Sequence, residues 1–170
     1  AYEDQISIAD FNMRPGPSVF ARPDCAMKNA SRCPRGVNPG RTYRFYEGQA
    51  VVPFGFGLSY TSFRYALRVV GATSFVVDVT NTGRMAADDV VLLFLVPPNA
   101  GADGVALKDL VAFDRVHVGV NATVSVALSV PSKVFAAKGA YRVEAGVRGD
   151  SRVGFAAATV FSRGGGVVQL

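Results

Sequence analysis

Val124-Ser125-Val126-Ala127-Leu128-Ser129-Val130 puts an apolar side chain at every second position, and Tyr141-Arg142-Val143-Glu144-Ala145-Gly146-Val147-Arg148 repeats the pattern. A period of two belongs to a pleated strand, whose successive side chains point to opposite faces, and not to a helix with its period of 3.6. Both stretches therefore read as strands with one face on a core and the other in water. Working outward, similar runs lie at Arg64 to Val70, Ser74 to Thr80, Asp89 to Val96, Lys108 to Val118 and Arg152 to Phe161. Turn signals separate them: Gly71-Ala72, Asn81-Thr82-Gly83 and Pro97-Pro98-Asn99. Asp89 to Val96 is apolar on both faces, as a strand covered on both sides would be, and the prolines end it because they cannot donate to a ladder.

Runs at roughly 8- to 12-residue spacing imply two packed sheets. No apolar 3.6 period is sustained over a dozen residues, and β-branched and aromatic side chains dominate. The expected fold is mainly β: a seven-stranded immunoglobulin or fibronectin type III-like β-sandwich over 63–162, followed by a flexible tail at 163–170 that opens on Arg163-Gly164-Gly165-Gly166. Residues 1–62 precede it as irregular chain. Two or three buried side chains per strand, at roughly 1.5 to 3 kcal/mol each, suffice for the sandwich to fold alone.

Composition narrows the function. Of the 170 residues 49% are apolar and 18% charged, which excludes a solvated disordered chain. Apolar runs stay short of the roughly 18 residues of a membrane span, and Ala1 to Gln5 lack the basic-then-apolar order of a signal sequence. No membrane partner is expected. The net charge of +5 is concentrated between Arg14 and Arg44, where Arg22, Lys28, Arg32 and Arg35 face few acids. No nucleic-acid module accompanies that charge, so a solvated loop or interdomain surface is the reading, and nucleic acid is not an expected partner.

Cys25 and Cys33 lie close together inside this stretch and are candidates for a local disulfide. Asn29-Ala30-Ser31 and Asn121-Ala122-Thr123 are N-glycosylation sequons, making Asn29 and Asn121 candidate sites. Disulfide and sequons together indicate a secreted or secretory-pathway protein. Two further pieces differ from generic loop: Asp10-Phe11-Asn12-Met13-Arg14-Pro15, and Asn38-Pro39-Gly40-Arg41-Thr42-Tyr43-Arg44-Phe45-Tyr46 continuing to Pro53-Phe54-Gly55-Phe56-Gly57-Leu58-Ser59-Tyr60-Thr61-Ser62-Phe63.

These motifs resemble glycoside hydrolase family 3, whose members carry a Pro-Gly-Arg-Thr-Tyr-Arg-aromatic-Tyr segment, then Pro-Phe-Gly-x-Gly-Leu-Ser-Tyr-Thr-x-Phe, then a fibronectin type III-like domain. Val77-Asp78-Val79-Thr80-Asn81-Thr82-Gly83, Val90 to Leu95, Leu110 to Val116 and Gly139 to Val143 also match, and Asn12-Met13-Arg14-Pro15 together with Arg41-Thr42-Tyr43-Arg44-Phe45-Tyr46 resembles the β-xylosidase rather than the β-glucosidase branch. Two departures stand out. The cysteine-bearing stretch near 19–35 reads as an insertion, and Val120-Asn121 occupies a turn that usually reads Pro-Gly or Ala-Gly. The resemblance implies a retaining glycosidase with two carboxylates about 5 to 5.5 Å apart. It also implies that both lie in upstream catalytic domains of the same polypeptide, so that 1–62 is the end of an α/β domain plus linker and no catalytic residue falls in this chain. Oligo- or polysaccharide is then met through the parent enzyme.

Other residues invite roles and receive plainer readings. His117, the single histidine, reads as a strand-face residue, and Asp88-Asp89 as a charged turn without calcium-loop spacing. Asp109, Asp114 and Glu144 read as solvated carboxylates on sandwich strands. Arg41, Tyr43, Arg44 and Tyr46 suit either a sugar subsite or packing against other domains, and Phe56 a rigid connector. No metal or cofactor is implied. The competing function is a free-standing immunoglobulin-like binding or adhesion module, which would carry an exposed aromatic strip.

Overall fold

The computed structural model of the chain describes residues 6–25, 32–147, 155–163 and 167–168. It divides into two compact units, one of Ala1–Val51 with Gly101–Leu107 and one of Val52–Ala100 with Lys108–Leu170.

In the first unit, strands β1 (Gly16–Ala21) and β2 (Arg35–Asn38) pair antiparallel, with an irregularity between Pro17 and Ala21. Pro17 is tolerated because a two-stranded ribbon has only edges. The Arg22 amide donates to Pro34 O at 3.0 Å, and a Cys25–Cys33 disulfide with Cα atoms 5.9 Å apart closes the hairpin. One helical turn, α1 (Thr42–Phe45), follows. The proline- and glycine-rich composition hid this ladder, which the sequence read as irregular.

The second unit is a sandwich. Strands β3 (Phe63–Gly71), β4 (Ser74–Asn81) and β7 (Thr123–Ser129) form an antiparallel sheet in the order β3-β4-β7. The other sheet contains β5 (Ala87–Val96), β6 (Asp109–Val118), β8 (Lys138–Gly146), β9 (Phe155–Arg163) and the short β10 (Val167–Val168), ordered β10-β9-β8-β5-β6. All seven expected strands are present within a few residues of their predicted limits. Two details differ. Asp88 and Asp89 lie within β5 rather than in a turn before it, and Val167 and Val168, expected in a flexible tail, pair with Ser162 and Phe161 of β9.

Period two explains the core. Phe75, Val77 and Val79 of β4 are buried, as are Val91, Leu93 and Leu95 of β5 and Tyr141, Val143 and Ala145 of β8. Their alternating neighbours, such as Arg68 and Asp78 on the outer face of the smaller sheet, are paired in a two-point ion pair. The Arg68 bonds, then the Ser125 hydroxyl, hold the Asp78 carboxyl below the usual range. Phe135 and Tyr141 meet edge to face with centroids 5.2 Å apart, and the Tyr141 hydroxyl accepts from the Ala137 amide. Among the described residues no helix is long and apolar enough to cross a membrane.

Candidate functional site

In the first unit the structure brings the two unusual sequence pieces together. Asn38, buried at the end of β2, donates through Nδ2 to Asn12 O at 2.7 Å and accepts from the Gly40 amide at 2.9 Å. The Arg41 amide donates to Met13 O at 2.8 Å, and its guanidinium donates to Asp10 O. Asp10 in turn accepts from the Asn12 amide at 2.9 Å. The Ser18 hydroxyl, followed by that amide, holds its carboxyl below the usual range. Gly40 takes φ +84, and a Cβ there would lie 1.9 Å from Phe45 O, so only glycine lets the turn pass this close to α1. Thr42 takes φ 61, a costly conformation for a β-branched residue, held by the Tyr46 amide donating to Thr42 O at 2.9 Å.

Phe45 is the buried member of α1, and two guanidinium groups flank it: Arg14 at 5.7 Å and Arg44 at 5.2 Å from the ring centroid. Arg14 Nε also donates to Gly104 O at 2.9 Å, and the Leu107 amide donates to Arg44 O at 2.6 Å. Tyr43 and Tyr46 are half-buried and Arg44 is exposed. Arg41 thus ties the turn to Asp10 and Met13, and Arg44 packs its guanidinium on Phe45. Phe45 was missed by sequence reasoning; its signal was an aromatic flanked by arginine in α1.

Phe56 belongs to the second unit, in a connector laid on the outer face of the larger sheet. Phe54 meets Phe94 edge to face at 6.2 Å. A Cβ on Gly55, which takes φ +86, would lie 2.5 Å from Leu92 Cδ1 and 3.0 Å from Val147 Cγ2. The connector is anchored farther on by Asn81, wholly buried, whose Oδ1 accepts from Thr61 Oγ1 at 2.7 Å and the Gly83 amide at 3.0 Å. Its Nδ2 donates to Met85 O and Val118 O. One amide side chain therefore ties the connector, the β4–β5 turn and the end of β6.

Glu144 overturns the expectation of a solvated carboxylate: it is only 4% exposed. It pairs across the sheet with Phe94, which the connector covers, and its charge is met by Arg142 Nε at 2.8 Å and Lys108 Nζ at 3.7 Å. Lys108 also sits 4.4 Å from the Phe94 ring centroid. Asp109 is half-buried and Asp114 exposed. They lie on β6, in register opposite Leu95 and Val91 of β5, while Glu144 lies on β8 on the other side of β5. His117 is exposed on β6, with Nδ1 2.6 Å from Asp88. His117 and then Arg115 depress the Asp88 carboxyl, whereas burial raises that of Asp89 despite the Tyr65 hydroxyl donating to it.

At the open edge of the sandwich, Leu110, Val111, Ala112, Phe113 and Asp114 of β6 and Ala127, Leu128 and Ser129 of β7 line a groove of about 460 Å³. Phe113 stands 68% exposed there. Asn121 is exposed in the turn between these strands, and Asn29 lies outside the described residues. Among the described residues no cluster of three or more His, Cys, Asp or Glu side chains is arranged to hold a metal ion.

No protein-family model matches the chain. An exo-1,4-β-xylosidase of Emericella nidulans is 36% identical over 68% of this chain and 15% of its own length. A protein named as a probable exo-1,4-β-xylosidase, from Aspergillus flavus, is 31% identical over 88% of this chain and 21% of its own. The solved family 3 β-glucosidase of Bifidobacterium adolescentis is 26% identical, with a TM-score of 0.55 over 69% of this chain and 20% of that one. The chain thus spans about a fifth or less of the length of the curated relatives it matches. In sequence and in structure alike, the chain resembles the carboxy-terminal part of glycoside hydrolase family 3 proteins of the β-xylosidase and β-glucosidase kind.

Proposed function

We propose that this chain is the non-catalytic carboxy-terminal portion of a retaining, exo-acting β-glycosidase of the β-xylosidase kind, whose sandwich stabilises the enzyme and steers polymeric substrate. The connector carries the reading. Its Gly55 approach to Leu92 and Val147, with the Thr61–Asn81 bond beyond it, fixes the incoming chain on the sandwich, which an independent module would not need. The strand order β3-β4-β7 against β10-β9-β8-β5-β6 supports reading the sandwich as a fibronectin type III-like domain.

The chemistry follows from where the carboxylates belong. A retaining glycosidase attacks the sugar with one carboxylate and uses the other first as acid, then as base. Both belong to upstream catalytic domains, the partners of this chain. Exposed Ile8, Phe11, Val19 and Val37 in the first unit supply apolar contact for such partners. The Cys25–Cys33 disulfide supports a secreted enzyme.

The test is hydrolysis of aryl β-xyloside and aryl β-glucoside by the purified 170-residue chain, beside a version extended by its upstream reading frame. Activity only in the extended protein is expected. Turnover by the short chain would overturn the non-catalytic assignment. One observation favours the alternative, a free-standing binding module: the groove beside exposed Phe113. Inactivity of both proteins, together with saccharide binding lost on Phe113→Ala, would select it.

A further inference from the structure

We infer that Asn121 is the attachment site of an N-linked oligosaccharide. Val120 and Asn121 form the tip of the turn between β6 and β7, closed by the Ala122 amide donating to Gly119 O at 3.1 Å. Asn121 takes φ 55, a left-handed conformation that asparagine accepts at lower cost than most residues other than glycine. Its side chain faces solvent, whereas Asn38 and Asn81 are buried and spend their amides on structural hydrogen bonds. Thr123 completes the sequon at the start of β7, exposed, with Oγ1 2.8 Å from Thr80 Oγ1 on the surface. The turn thus presents the acceptor amide and the hydroxyl that the sequon requires, and leaves room for the folded product to keep a bulky substituent.

In the step itself the Asn121 amide nitrogen attacks the anomeric carbon of a lipid-diphosphate-linked oligosaccharide. The new N–C bond forms, the carbon–oxygen bond to the diphosphate breaks, the lipid diphosphate leaves with the electron pair, and the amide gives up one proton. The assignment rests on the secretory location proposed above, which the Cys25–Cys33 disulfide supports, and not on the glycosidase reading. It has a structural corollary: the β6–β7 end of the sandwich faces solvent in the intact protein, so the upstream partner covers other surfaces.

The experiment expresses the full chain behind a secretory leader in a eukaryotic host and maps peptides by mass spectrometry, with enzymatic deglycosylation in heavy-oxygen water to mark the modified asparagine. Wild type and Thr123→Ser should carry the mark at Asn121. Thr123→Ala and Asn121→Gly should lose it, and Asn121→Gly should melt no lower than deglycosylated wild type. Secreted wild type with unmodified Asn121, or a mark that survives Thr123→Ala, overturns the site. A marked secreted chain beside an unmarked Asn121 in protein from its natural source overturns the secretory location instead, and with it the assignment in the native protein.

Discussion

The two units bury different kinds of side chain. In the sandwich, a cluster from Phe63 to Val160 is nearly all aliphatic and aromatic, with Val77, Val79, Val91, Leu93 and Val143 wholly enclosed. In the first unit the buried hydrophobics among the described residues are Ile6, Phe45 and Ala106, and Asp10, Ser18 and Asn38 are buried beside them. One unit is held by burial, which is non-directional and cumulative. The other is held by a few directional bonds, a disulfide and cations packed on an aromatic ring. A unit of the second kind has little reserve if one tie is lost, while the first loses stability in proportion to volume removed.

The contrast can be tested in order of effect. Phe75→Ala should lower the sandwich stability by about 3 to 5 kcal/mol in chemical denaturation, since it removes a ring from a residue only 1% exposed. Asn81→Ala should cost about 3 kcal/mol in the same assay, because Thr61, Gly83, Met85 and Val118 each lose a buried partner. An effect as small as an ordinary surface change would mean that the sandwich depends on apolar burial alone. Replacing both Cys25 and Cys33 by serine should cost about 2 to 3 kcal/mol by the chain-entropy argument for a short loop. The loss should show as faster proteolysis within the first unit, with the sandwich transition unmoved; a shift of both would erase the distinction between the units.

The smallest effect concerns pH. The Asp89 carboxyl is raised by burial, so the folded state holds its proton more tightly than the unfolded chain, and stability falls as pH rises through that raised value. Asp89→Asn removes this dependence. Its melting advantage over wild type should be absent in acid and grow toward neutral pH. Asp78 and Asp88 act with the opposite sign, their contribution being lost as pH falls through their depressed values.

The sandwich was legible because period two is written directly in side-chain choice, as at Val124 to Val130. What escaped was set by contacts distant in sequence. Glu144 occupies a position that alternation assigns to water, yet it is buried, in register opposite Phe94 on the face that Phe54 of the connector meets, and paired with Arg142 and Lys108. Asn81 read as part of a turn signal, and its four bonds depend on Thr61 and Val118, which only the fold brings near. The β1–β2 ribbon was concealed by Gly16 and Pro17, residues that ordinarily argue against strand. At the candidate site the Arg41–Tyr46 segment was recognisable as unusual, but its lock onto Asp10 to Met13 spans some thirty residues and carries no periodic trace.

The glycine at 55 bears on how such a domain can be moved between proteins. Because its backbone lies against Leu92 and Val147, the strand-bearing residues from Phe63 onward are an incomplete parcel. Recombination that cut there would bare Leu92 and Phe94 and strand Asn81 without Thr61. A cut upstream, near Val52, where the second compact unit begins, keeps the connector but leaves Gly101–Leu107, which belong to the first unit, without their bonds to Arg14 and Arg44. Grafts and fusions should therefore carry the connector with the sandwich as one heritable piece.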